Sequence, residues 1–289
     1  MNSIIASHFM KFSLILCTLG RTDEVALFLE SLSLQTYQNY ELIIIDQNKD
    51  DRLKKILSDS SIQDSKILHI VQSVPGLSRA RNVGIQHASG NIIAFPDDDC
   101  TYDIDVLEKV AFFFTHNSNK PLALSVNTRD INSSFSLIFS PKNECSFSKD
   151  KLLGCSFTLF FSKEASNMLF DERLGVGSGF IWGAAEENDF LYRFLTSGGE
   201  GYYLPSPTVF HPAKENDTLD VTRAYLYGGG FAAFRLKNNG LVRFIKSSLL
   251  IFVDIFKNLI LGKWKKASFK FIFLLGYFVG GLAWKIANK

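Results

Sequence analysis

Three short apolar runs, each ending in a polar or acidic residue, constrain this chain more than any other feature. FSLILC (12–17) runs into Thr18, ELIIIDQ (41–47) closes on Asp46, and NIIAFPDDDC (91–100) is apolar up to Pro96 and then abruptly acidic. Continuous apolar runs of strand length belong to strands buried on both faces, the signature of a parallel sheet. Residues 22–34 carry Val25, Leu29 and Leu32 at helical spacing, with Asp23 and Glu24 at the end where a helix favours acids. ILHIVQS (67–73) reads as a further strand, and after Pro75-Gly76 residues 78–89 read as a helix stopped by Gly90. This alternation predicts an α/β fold, a Rossmann-like, mostly parallel sheet flanked by helices. Ligands of such sheets bind outside the carboxyl ends of the strands, where Thr18, Asp46 and Asp97 stand.

The remaining pattern is less regular. Residues 48–64 are a polar loop with an exposed helix, and LALSV and GCSFTLFF, within 121–165, could extend the sheet. Residues 170–194 form a Gly-rich loop entering a helix near Glu186, and GYYLPSPTVFHP makes a strand ending at His211-Pro212. The expected division is a tail at 1–10, a catalytic domain at 11–215 and a helical segment at 216–289. The 289 residues suffice for a full core with an appendage. Lys and Arg total 31 against 29 Asp and Glu, and this near-balance argues against a nucleic-acid binder. Cys17, Cys100, Cys145 and Cys155 lack CxxC spacing, which gives a structural zinc site no support and suits a reducing cytoplasm. His8 and Lys11 interrupt the first apolar stretch, so it reads as tail and strand rather than as a signal peptide.

Residues 241–289 mix Leu, Ile, Phe and Trp with Lys and Arg, and Asp254 is their acid. FIFLLGYFVGGLAW (271–284) falls short of the roughly 20 residues a spanning helix needs. Lys263, Lys265, Lys266, Lys270 and Lys285 suit a helix lying in the interface of an anionic membrane, the alternative being helices that only pack on the catalytic domain.

Asp97-Asp98-Asp99 holds three carboxylates that repel one another unless cations compensate them, and hard oxygen donors of this kind select Mg²⁺ or Mn²⁺. Asp46 either accepts hydrogen bonds from a nucleotide or caps the next element. Arg21 is a cationic candidate for a diphosphate. Arg79 and Arg81, two apart, point in different directions on one helix, so one can face a site while the other meets solvent. Glu186, Glu187 and Asp189 crowd a helix start; capping explains one of them, and another could act as a general base. Asp189 and Arg193 have the spacing of a helical ion pair. His211 could donate an imidazole to a metal or a leaving phosphate.

Taken in order, these motifs resemble the family-2 nucleotide-sugar glycosyltransferases of GT-A fold over about residues 11–212. SLILCTLGR resembles the family's first strand and loop, although Leu19-Gly20 replaces its usual turn. IIIDQ is similar to the second strand with its base-binding acid, at Asp46. GLSRARNVGIQHASGNIIAFPDDDC resembles the Gly-Leu-Ser-x-Ala-Arg-Asn-x-Gly helix and the Asp-x-Asp strand end, placing Arg81, Asn82, Asp97 and Asp99. EENDFLYR resembles the segment carrying the catalytic base, which puts Glu187, with Glu186 beside it, in that role. PSPTVFHP is similar to the strand whose His, here His211, reaches the metal or diphosphate.

The resemblance implies an inverting transferase that moves a sugar from a nucleoside-diphosphate donor to an acceptor hydroxyl, in polysaccharide or glycolipid synthesis. Thr18, Arg21, Asp46, Arg81, Asp97 and Asp98 would bind the donor, and Asp99 and His211 would hold Mg²⁺ or Mn²⁺. The acceptor would be a sugar or a lipid-linked sugar, reached at the inner face of the cell membrane. A nucleotidyltransferase would place a Gly-rich, basic loop after the first strand, where this chain has one Gly and one Arg. A non-catalytic relic would have no need of clustered acids.

Overall fold

The computed structural model describes residues 10–117, 120–133, 140–213 and 220–288. They form two compact units. The first comprises residues up to Pro75, Ala80–Leu169 and Leu191–Ala213; the second comprises Gly76–Arg79, Phe170–Phe190 and the residues from 214 onward.

The first unit is built on one sheet. The chain opens with β1 (Phe12–Thr18), α1 (Asp23–Ser33), β2 (Tyr40–Asp46), α2 (Arg52–Ser58), β3 (Ile67–Val71), α3 (Leu77–His87) and β4 (Ile92–Ala94). There follow β5 (Thr101–Tyr102), α4 (Val106–His116), β6 (Leu122–Asp130), β7 (Cys145–Phe147), β8 (Leu159–Ser162), α5 (Glu186–Thr196) and β9 (Glu200–His211). The strand order is β3-β2-β1-β4-β8-β6-β9-β5, with β7 also on β9. The parallel arrangement read from the sequence holds for β3, β2, β1 and β4. Beyond β4 the sheet becomes mixed, because β8 runs antiparallel to both β4 and β6, while β6 and β9 are parallel.

Every residue of β1 is buried, as its unbroken apolar run requires. β4 is shorter than its run suggests and ends at Ala94, so the three aspartates occupy the turn between β4 and β5. Pro96 accounts for the early stop, since a proline donates no ladder hydrogen bond. The prolines of β9 act likewise: Val126 pairs Leu204 but Asn127 pairs Thr208, leaving residues 205–207 as a bulge. In α3, a Cβ on Gly84 would lie 2.2 Å from a methyl of Ile15, so only glycine lets this helix pack so closely on β1.

The second unit holds α6 (Val221–Asn238), α7 (Gly240–Ile260) and α8 (Trp264–Ala287) together with residues 76–79 and 170–190. It divides the chain elsewhere than at residue 215, because residues 181–184 are moulded onto the helices. Gly229 and Gly230 approach Ile181 O and Ala184 O so closely that an added Cβ would sit 2.3 and 2.4 Å from them. Gly183 N donates to Leu226 O at 3.1 Å, and Trp182 Nε1 donates to Gly280 O at 3.0 Å. On α8, Gly276 and Gly280 give α6 the same clearance, with Cβ positions 2.0 Å from Tyr225 O and 2.4 Å from Gly229 Cα. The 24 residues of α8 exceed the apolar run at 271–284, and by length and composition this helix could cross a membrane.

Candidate active site

The register of β5 on β9 builds the centre of the first unit. Thr101 pairs antiparallel with Phe210, which brings the residues before Thr101 alongside His211. Asp99 Oδ1 and His211 Nε2 are 3.0 Å apart, and Asp97 Oδ2 lies 3.9 Å from the same nitrogen. One ligand atom from each of Asp97, Asp99 and His211 lies within 4.8 Å of the others. Two carboxylates and an imidazole make a donor set fitted to Mn²⁺ or Mg²⁺.

Protein cations already answer much of the repulsion within the aspartate turn. Arg21 lies 3.0 Å from Asp99 and 3.9 Å from Asp98, and the buried Arg81 reaches Asp97 at 3.3 Å. Burial pushes the Asp98 carboxyl up to about 6, partly offset by the hydroxyl of Thr18 beside it. Burial would raise Asp99 too, but the hydrogen bond to His211 and the charge of Arg21 hold it below its ordinary value. Burial works to lower His211, and its bond to Asp99 outweighs that and raises it. Phe157 stacks on the His211 ring at 4.5 Å, and Ser156 Oγ donates to Asp97 Oδ1 at 3.1 Å. The sequence reading missed both; they lie within GCSFTLFF, read there only as strand.

A second group lies at the end of β2. Asp46 Oδ1 accepts from Asn48 N at 2.9 Å and Asn48 Nδ2 at 2.7 Å, and Asp46 Oδ2 lies 3.0 Å from His69 Nε2. Asn48 Oδ1 in turn accepts from Gly20 N at 2.7 Å, tying the acid to the loop that carries Arg21. Asp46, Asn48 and His69 line a cavity of about 570 Å³ with Lys49 and Lys54. Neither Asn48 nor His69 has a spacing that sequence reasoning could single out.

The comparisons with known proteins concern the same part of the chain. The sequence model described as Glycosyl transferase family 2 matches residues 13–153, which hold β1 through β7 and all three aspartates. Over residues 13–153 the chain is thus similar to glycosyl transferase family 2. The glycosyltransferase GlyA of Streptococcus pneumoniae is 38% identical over 28% of this chain and 12% of its own length. The glucosyl-dolichyl phosphate glucuronosyltransferase of Haloferax volcanii is 28% identical over 37% of this chain and 35% of its own. The chain thus spans well under half the length of these relatives. Among solved structures, TarS of S. aureus in complex with UDP-GlcNAc superposes with a TM-score of 0.58 at 17% identity, over 80% of this chain and 68% of that one. That likeness shows a shared GT-A-type fold.

The remaining sequence candidates lie on α3 and α5. Arg79 pairs with Glu172 at 3.0 Å, whereas Arg81 is buried in the first unit against Asp97. Glu186 is buried and Glu187 half-buried at the start of α5. Ala185, just before them, holds a left-handed φ of 66°, a costly conformation for a residue with a Cβ. Asp189 is fully buried, bound by Lys237 Nζ at 3.0 Å and Asn238 Nδ2 at 2.7 Å, while Arg193 donates to Leu169 O. Lys237 and Asn238 bring a full charge and an amide to a site closed to solvent. None of the four cysteines forms a disulfide, and burial pushes the Cys17 thiol up to about 12, which leaves it no nucleophilic role.

Proposed function

We propose that this chain is an inverting glycosyltransferase that takes a sugar from a nucleoside-diphosphate donor and joins it to an acceptor hydroxyl. The observation that carries the reading is the convergence of Asp97, Asp99 and His211 within 4.8 Å, in a chain whose matched region resembles family 2. Asp46, Asn48 and His69 form the wall that receives the nucleobase, and Asp46 accepts a hydrogen bond from its edge. The complex of TarS with UDP-GlcNAc makes uridine the first base to try. Asp97 and Asp98 meet the ribose and diphosphate, with Arg21 and Arg81 setting their charge. Asp99 and His211 would hold Mg²⁺ or Mn²⁺, which when bound neutralises charge on the diphosphate.

Glu187 is the base in this reading, with Glu186 beside it. The acceptor oxygen gives its proton to that carboxylate and attacks the anomeric carbon from the face opposite the diphosphate. The bond from carbon to phosphate oxygen breaks, and its electron pair leaves with the nucleoside diphosphate. The sugar carries oxocarbenium character at the transition state, as in glycoside hydrolysis.

The acceptor is lipid-linked and is reached at the inner face of the cytoplasmic membrane. Along α7, Val242, Ile245, Leu249, Phe252, Val253, Phe256 and Ile260 recur at helical spacing and are all exposed, so this helix turns its apolar stripe outward. Exposed Lys246 and Lys257 flank the stripe, the pattern of a helix lying in an anionic lipid interface. The glycine-lined contact of α8 with α6 commits one face of α8 to protein, which favours an interfacial over a fully lipid-surrounded helix.

Thermal shift against nucleoside diphosphates, with and without Mn²⁺, tests the reading. Metal-dependent stabilisation by UDP or GDP that disappears in Asp99→Ala is the expected result. Stabilisation by triphosphates alone, or by none of the panel, would overturn it.

A further inference from the structure

The acids at the start of α5 enter their helix through strained backbone. Ala185 holds a φ of 66°, yet the turn after it closes, with Asp189 N donating to Ala185 O at 3.0 Å. A left-handed residue that carries a Cβ persists only where its surroundings fix it from more than one side. α6 supplies two such fixings, one on each side of Ala185. Before it, Gly230 packs so closely on Ala184 that an added Cβ would stand 2.4 Å from Ala184 O and 2.6 Å from Ala184 N. After it, about two turns further along α6, Lys237 Nζ lies 3.0 Å from Asp189 Oδ2, and Asn238 Nδ2 donates to Asp189 Oδ1 at 2.7 Å.

The second fixing has a reach beyond Asp189. The same ammonium lies 2.9 Å from Asp171 Oδ2, so one lysine binds both ends of the segment that runs from Asp171 to Asp189. Asp171 is held in turn by Arg173, through Nε at 2.9 Å and Nη2 at 2.8 Å. Arg173 lies over the Trp284 ring at 4.3 Å and donates to Asn288 Oδ1 at 3.0 Å, which extends the network to the end of α8. Within the clamped segment Glu186 is buried, and a Cβ on Gly175 would come within 3.1 Å of its carboxylate. An acid packed this closely has little room to correct a shift of the backbone beneath it.

Stability alone does not ask for this arrangement. Acids at a helix start are served by the dipole and by the free amides there, and a buried ion pair is often no more stabilising than apolar side chains of the same volume. What a buried pair does supply is one fixed geometry. We propose that Lys237 and Asn238 are positioning residues: through Asp189 they hold the strained turn at Ala185 and so set where Glu186 and Glu187 stand. The link to catalysis rests on the transferase reading, whereas the positioning itself stands on the clamp.

The test pairs hydrogen exchange with a reaction. Lys237→Met alone would strand the buried charge of Asp189 and destabilise the unit, so it is combined with Asp189→Asn, which leaves no unpaired charge there. In the full-length double variant the amides of residues 185–190 should exchange about tenfold faster, while those of β1 and β2 stay unchanged. Release of UDP from UDP-GlcNAc by water, with Mn²⁺ present, should fall about tenfold or more in kcat with little change in KM, because small misplacements of a reacting group are costly. Lys237→Arg keeps the charge and should retain most of the protection and the rate. Unchanged exchange at 185–190 overturns the proposal, and so does faster exchange with an unchanged rate. If the wild type neither binds UDP nor releases it, the transferase reading fails, and the exchange result alone decides the clamp.

Discussion

His211, the last residue of β9, meets Asp99 at 3.0 Å because Thr101 pairs with Phe210 one step away along the antiparallel ladder. The contact is set by strand register, so replacing either side chain should leave the backbone in place while removing a ligand atom. We expect His211→Ala to weaken Mn²⁺ binding at least tenfold, read by titration calorimetry with UDP present. Asp99→Asn should lower turnover on the order of a hundredfold or more, as removal of charge stabilisation at a reacting phosphate does. Chelation of the wild type should reproduce the loss, and added Mn²⁺ should reverse it.

Asn48 has its amide and its backbone N–H on Asp46 and its carbonyl oxygen on Gly20 N, all while buried. Asn48→Ala therefore strips partners from a buried carboxylate and a loop amide together. A cost of about 1–3 kcal/mol in denaturant unfolding is expected. Because Asp46 then keeps only His69 of these side-chain partners and is less firmly held, KM for the donor should rise more than kcat falls. An unchanged KM would show that Asp46 needs no such tether.

Much of this was legible in the sequence because the first half of the chain obeys local rules. Buried parallel strands need unbroken apolar runs, and those of β1, β2 and β4 stand out next to the polar residues that end them. Helical spacing alone says that Arg79 and Arg81 cannot share one environment, but not which of them is buried. What could not be read depends on tertiary register. Nothing local says that β8 enters antiparallel between β4 and β6, and so nothing marks Ser156 or Phe157 as neighbours of Asp97 and His211. The glycines of α6 and α8 were visible, but as composition. Only the packed helices show that residues 181–184, just before the α5 acids, are shaped by the C-terminal segment.

The α6–α8 contact gives a stability prediction. A Cβ at Gly276 would stand 2.0 Å from Tyr225 O, a backbone atom that cannot swing away. Gly276→Ala should destabilise the fold by about 1–3 kcal/mol or more through overpacking, despite the better helix propensity of alanine. Thermal denaturation reads the loss. The same change at Gly262, where an added Cβ meets nothing within 4 Å but φ is 66°, should cost only backbone strain, about 1 kcal/mol.

Asp171 sets a pH dependence in the second unit. Burial works to raise its carboxyl, yet hydrogen bonds from Arg173 and Lys237 overcome this and hold it well below the usual carboxylate range. A carboxylate whose folded pKa is depressed contributes stability that is present above its unfolded pKa and is lost as pH falls toward the folded value. The wild type should therefore lose stability relative to Asp171→Asn between about pH 5 and pH 3. Denaturant unfolding of both proteins across that window gives the difference curve. Parallel curves would show that Asp171 does not contribute through its charge.

The outward stripe of α7 makes the membrane reading testable without removing the helix. Deleting 241–289 would also take away Gly276, Gly280 and the carbonyl that anchors Trp182, so loss of function in that deletion would say nothing about lipid. Leu249 and Phe252 are exposed, and substituting both with Glu should leave the melting temperature within a few degrees. Two acids in the apolar stripe oppose both insertion and attraction to anionic headgroups. In flotation with vesicles containing phosphatidylglycerol, the double variant should bind at least tenfold less than the wild type. Lys246→Gln with Lys257→Gln should shift binding by roughly 1 kcal/mol per charge, and more at low salt. Equal flotation of all three proteins would overturn the interfacial role of α7, since nothing else in the experiment changes.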